Sequence, residues 1–258
     1  MFWSKPKLPI TEDDQKWIEG SLQWLLNEFG EDRFLKRQTI LPDTTFFPEK
    51  FRGSESCVNN LVARVCSYMD VNPESVKVEI FEDHEEVADK HQLGEGHYSS
   101  AAGLYFHPGS PNQKMKVAIN QSQLKNPMAL VATIAHELGH VILLGGGKVS
   151  RDFESHEYLT DLITVFLGLG IFTANSAFQF SQWQNHSHQG WNTSRLGYMS
   201  EEMFGYSLAA YSWMRGEPKP EWSGLLAMNV GHYFKGSLKY LNNGGQTALV
   251  QLRKGPGI

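Results

Sequence analysis

Cysteine is scarce in this chain: Cys57 and Cys66 are the two among 258 residues. That count excludes a disulfide framework. The pair lies nine positions apart in a stretch with helical patterning, so the two side chains fall on opposite faces and are expected as reduced thiols. Runs of lysine or arginine are also missing. With 23 basic and 28 acidic residues the net charge is −5, and no nucleic-acid partner is expected. Long apolar runs are lacking where targeting would need them. The opening MFWSKPKLPI has no signal-peptide core, and Leu162–Phe172 offers 11 residues, too few to cross a bilayer. A cytoplasmic location without a membrane partner is the expectation. No internal repeat and no clean linker divides the chain.

What is present is concentrated in one pentapeptide, His136-Glu137-Leu138-Gly139-His140. On a helix, residues four apart lie on one face, one turn from each other. Both imidazoles then reach a common point about 2 Å away, a zinc–nitrogen bond length. Glu137, one step round, is placed to hold a water on such an ion and take its proton. The flanks support a helix: MALVATIAHELGHVILL, residues 128–144, is apolar at nearly every position outside the functional ones. Asn126-Pro127 supplies a start and Gly145-Gly146-Gly147 a stop. Two histidines and a glutamate are costly in so apolar a frame unless something pairs them, and a metal does.

A third ligand is required, because catalytic zinc takes three protein ligands and a water. The segment RDFESHEYLTDLITVFLGLGIF, residues 151–172, reads as a second helix with Glu154, Glu157 and Asp161 on a shared face and His156 pointing elsewhere. On spacing, Glu157 leads as the ligand, followed by Asp161 with Glu157 in support, and then Glu154. Sixteen residues separate His140 from Glu157, enough for a turn through the three glycines and an antiparallel return.

The run Ile134-Ala135-His136-Glu137-Leu138-Gly139-His140-Val141-Ile142 resembles the metal-binding helix of the zincin metallopeptidases, and the resemblance covers about residues 101–172. Glu157-Tyr158-Leu159-Thr160-Asp161 is similar to the ExxxD of the gluzincin branch. The longer three-histidine pattern of the metzincins is absent, since position 146 holds glycine. The resemblance implies Zn2+ on His136, His140 and Glu157, Asp161 behind His136, and Glu137 as general base. A ligating histidine wants a carboxylate on its far nitrogen to fix its tautomer. It implies a peptide or protein substrate. It further implies an oxyanion donor beyond the second helix, for which His186, His188, Tyr198 and Tyr206 compete with nothing in the spacing to choose among them. A competing reading is a zincin-fold regulator with one dedicated partner and little general proteolysis, similar to the cytosolic peptidases that trim repressors in bacterial stress responses. A purely structural metal is disfavoured, because it has no use for Glu137.

The fold expected is α+β and zincin-like: mostly helical, with a small mixed sheet next to the His136–His140 helix. One domain over 1–258 is expected, helical over 1–75, with the sheet and metal helices over 76–172 and a helical part over 173–258. Glu12–Phe29 reads as a helix capped by Thr11 and stopped by Gly30, with Trp17, Leu22, Trp24, Leu25 and Phe29 on its apolar side. A helix is expected over Ser54–Met69 and a strand over Val76–Phe81. Ala101–His107 and Met115–Asn120 read as a hairpin. Lys116–Asn120 matches the strand, often a substrate-binding edge strand, that zincins place ahead of the metal helix. The stretch around His84, His91 and His97 is expected as an exposed acidic loop in preference to a second metal site. Residues 181–192 read as a loop, Ser200–Arg215 as a helix, and Trp222–Leu241 as a helix interrupted at Gly231 and Gly236. The tail is expected to be loose.

Overall fold

The computed structural model describes residues 7–82, 103–106, 114–150, 152–185 and 199–252. It is mostly helical with one small mixed sheet. The chain divides into two compact units. One comprises residues 42–161 and 178–198; the other comprises residues 1–41, 162–177 and 199–258.

The unit of residues 42–161 carries the sheet. Helices α1 (Glu12–Phe29) and α2 (Glu31–Lys36) precede it in sequence, and its own first helix is α3, Glu55–Met69. The Ser54 hydroxyl accepts from the Cys57 amide and starts α3, while Asp70 in the left-handed region ends it. Val58, Val62, Val65, Cys66 and Met69 form its buried stripe. Both cysteines are free, and burial pushes the Cys66 thiol up to about 12.

The sheet has the order β1-β3-β2, with β1 at Val76–Phe81, β2 at Gly103–Phe106 and β3 at Met115–Asn120. β1 runs parallel to β3, Val76 opposite Met115, and β2 antiparallel to it, Gly103 opposite Ile119. β3 is therefore central and not an edge. Its Val117, Ala118 and Ile119 are buried in succession, as suits a strand covered on both faces. The edge strand expected from the resemblance has to be sought at β1 or β2.

Helix α4, Pro127–His140, follows. The Asn126 side chain accepts from the Ala129 amide, and Pro127 occupies the first turn, where its missing N–H costs nothing. Every residue from Ala129 to His140 is buried. A π-type turn, Val141–Gly145, continues the helix before Gly147 turns out with a φ of 64°. By length and composition, Pro127–Gly145 is apolar enough to cross a membrane, but it is mostly buried within the protein, as a core helix is. α4 packs against α3 and β2.

Helix α5, His156–Phe166, starts in this unit and ends in the other. It does not run on to residue 172 as its composition suggests. Gly168, at a φ of 86°, breaks it, and α6 begins at Gly170 and continues to Asn185. Residues 181–185, expected as loop, are thus helical.

In the second unit, α1 begins at the Thr11 cap, whose hydroxyl accepts from the Asp14 amide, and buries Ile18, Leu22, Leu25 and Leu26. Trp17, Trp24 and Phe29 from the expected stripe are half-buried. α7, Glu201–Met214, is buried on nearly all sides and lies close against α8, Met228–Asn242. A Cβ at Gly205 would meet Tyr233 Cβ at 2.5 Å. α8 runs through Gly231 and Gly236 without interruption; the break lies ahead of it, between a 3-10 turn at Glu221–Leu225 and Met228. The tail is not loose over Ala248–Leu252, which forms a 3-10 turn held to α1.

Candidate metal centre

α4 and the first turn and a half of α5 supply the site. His136 and His140 stand one turn apart on α4, with ring centroids 4.8 Å apart and planes at 87°. Glu157 and Asp161 stand one turn apart on α5. The structure brings all four together.

Each imidazole is oriented by its Nδ1. Asp161 Oδ1 lies 2.8 Å from Nδ1 of His136, and a carboxylate can only accept, so His136 donates from Nδ1. The Thr160 hydroxyl donates to the His156 carbonyl at 2.8 Å, which leaves its lone pair for His140 Nδ1 at 3.2 Å. In its neutral form each ring then presents Nε2 with a lone pair. Those two nitrogens face one atom, Glu157 Oε2, at 3.1 Å from His136 and 3.4 Å from His140.

In that neutral form, lone pairs aimed at a carboxylate oxygen repel unless a positive centre, a proton or a metal ion, lies among them. Ligands about 2.0–2.2 Å from a tetrahedral ion are about 3.3–3.5 Å from one another, close to the separations found here. The three donor atoms all lie within 4.8 Å of each other, and they form the one His/Cys/Asp/Glu group of metal-holding geometry among the described residues. The donor set of two imidazoles and a carboxylate fits a divalent ion of zinc type.

Without an ion bound, the protein's own charges favour a proton at that point. Burial pulls the His136 imidazole toward neutrality, but hydrogen bonds to Asp161 and Glu157 outweigh it and raise its pKa well above the ordinary value. Burial raises the Glu157 carboxyl, yet His140, His136 and His156 together hold it well below the usual carboxylate range. Glu137, 3 % exposed, is raised by burial, partly offset by His140 and His136.

Asp161 is set apart from the ligand position. Its carboxylate sits behind His136 on the Nδ1 side, so it is not placed as the third ligand. Glu154 precedes α5 and is exposed, outside the cluster. His156 does not point elsewhere: its Nε2 lies 3.1 Å from Oε1, the other oxygen of Glu157. Its Nδ1 lies 2.9 Å from the Phe153 carbonyl. Thr160 and His156 were missed by sequence reasoning. Thr160 falls within the ExxxD stretch, and its place four residues after His156 on the same helix face was the available signal.

Tyr206, a contender for oxyanion donor, is buried in the other unit and donates to Glu19 at 2.5 Å. His186, His188 and Tyr198, like His84, His91 and His97, lie outside the described residues. Comparison with family models, curated proteins and solved structures finds no match for this chain.

Proposed function

We propose that this chain is a zinc-dependent metallopeptidase, zincin-like and of gluzincin type, that hydrolyses peptide bonds with Glu137 as general base. The observation that carries the reading is the convergence of His136 Nε2, His140 Nε2 and Glu157 Oε2, with Glu137 adjacent on α4. Zinc held there supplies a water acidified toward neutrality and a Lewis acid for the scissile carbonyl.

The protein's own groups do the rest. Glu137 takes the water proton on its carboxylate and returns it to the leaving amine. Its pKa, raised by burial, brings it closer to the pH at which a base both accepts and releases a proton. Asp161 and Thr160 hold His136 and His140 in the tautomer that leaves Nε2 available. An extended peptide adds along β2, which among the described residues is an edge of the sheet and packs against α4.

Elemental analysis and hydrolysis of an unstructured protein test the proposal together. The wild-type protein should carry about one zinc and cleave. Glu137→Gln should keep the metal and lose roughly a hundredfold or more of the rate. Turnover that survives Glu137→Gln removes the general-base role. A protein that takes up no divalent ion removes the metal centre. A zinc-loaded wild type that leaves unstructured protein intact favours the dedicated regulator instead.

A further inference from the structure

A carboxylate can bind a metal through one oxygen or through both, and the choice sets how many positions remain for water and substrate. In Glu157 the two oxygens have different neighbours. Oε2 faces the histidine pair, whereas Oε1 is 3.1 Å from Nε2 of His156. The His156 ring is fixed at its other end as well, with Nδ1 2.9 Å from the Phe153 carbonyl in the turn that leads into α5. The same carbonyl accepts from the His156 amide at 3.0 Å, so ring and backbone are anchored to one point. A carboxylate oxygen only accepts, so Nε2 is the donor in the contact with Glu157 Oε1.

The geometry points to His156 as a positioning residue that holds Glu157 Oε1 away from the metal and keeps the ligand single-oxygen. This rests on the metal-centre reading above. Adjacent helical residues ordinarily diverge by about 100°. The contact between His156 and Glu157 is possible because His156 is the first residue of α5, where the side chain can fold back over the helix start. The His156 ring also lies beside that of His140, centroids 6.0 Å apart, and by this assignment it does not bind the metal.

Cobalt(II) in place of zinc gives the readout, since four-coordinate cobalt absorbs far more strongly in the visible than five-coordinate cobalt. His156→Ala frees Oε1 to swing toward the ion. The bands should weaken toward the five-coordinate form, and affinity in chelator competition should change by about tenfold or more. His156→Gln, whose amide can donate to the same oxygen, should restore both the spectrum and the affinity. His156→Leu keeps bulk without a donor and substitutes for the alanine variant should that one not fold. Donor-free and glutamine variants that behave alike, in either direction, overturn the proposal. So does X-ray absorption showing one nitrogen ligand fewer in the donor-free variant, which would make His156 a ligand. A wild type that takes up no cobalt fails the metal centre itself, a result distinct from all of these.

Discussion

A threonine hydroxyl has one proton to give and lone pairs to share, and at Thr160 both are spent. The proton goes to the His156 carbonyl and a lone pair receives His140 Nδ1–H. Thr160 is fully buried, so bulk water does not stand in for it as acceptor. Thr160→Val keeps the shape and removes this acceptor from His140 Nδ1, so the ring loses the hydrogen bond that orients it. Zinc affinity should fall about 10–100-fold by chelator competition, and Thr160→Ser should recover most of it. Equal affinities in wild type and Thr160→Val would show that Thr160 does not orient His140. The histidine pair and Glu157 were legible from the sequence, because spacings of four within an apolar helix are a pattern. Thr160 and His156 were less so. Which neighbour a hydroxyl or ring nitrogen meets depends on side-chain directions at the start of α5, and these leave no periodic trace.

Whole elements were read well where local chemistry marks their ends. Thr11 and Gly30 bound α1, Ser54 caps α3, and Asn126-Pro127 opens α4. The misreadings come where tertiary contact decides. The apolar run 162–172 looks like one helix, but Gly168 turns the chain and Ile40 donates its amide to the Gly168 carbonyl at 2.9 Å. A Cβ there would meet the Gln38 carbonyl oxygen at 2.4 Å on a backbone with φ of 86°. Gly168→Ala should therefore cost about 2–4 kcal/mol, left-handed strain plus the clash, read from the urea midpoint. Gly216→Ala, with φ of 72° and nothing within 4 Å, should show the strain alone, about 1–2 kcal/mol. Equal costs would mean that the Gln38 contact relaxes freely. The central place of β3 was hidden for a related reason. Alternation identifies a strand, but sheet order follows from which strands meet, and β1 reaches β3 across the chain segment that contains β2.

At the scale of the molecule, the unit built from the two ends of the chain is tied by one buried carboxylate. Glu19 on α1 accepts from Gln15, from Tyr206 on α7, and from the Thr247 hydroxyl and Ala248 amide of the tail. Residues 187 to 229 positions away in sequence meet at this point, which is why composition alone made the tail look loose. The tie has a consequence for pH. Burial first, and the Glu19 carboxylate second, raise the Tyr206 phenol above its ordinary value. Tyr206 thus keeps its proton in the folded protein at a pH where the unfolded chain has lost it. The folded state then binds more protons than the unfolded one, and stability falls as pH rises past about 10, the unfolded phenol pKa. Urea midpoints measured from pH 8 to 11 should drop over the upper part of that range. Tyr211, also raised by burial, contributes to the same fall, so the comparison with Tyr206→Phe isolates one phenol. That variant should begin lower at pH 8, since Glu19 loses a donor worth about 1.5–3 kcal/mol, and should then decline less steeply. Parallel curves for the two proteins would show that Tyr206 ionises as readily folded as unfolded, and that Glu19 does not hold the phenol proton in place.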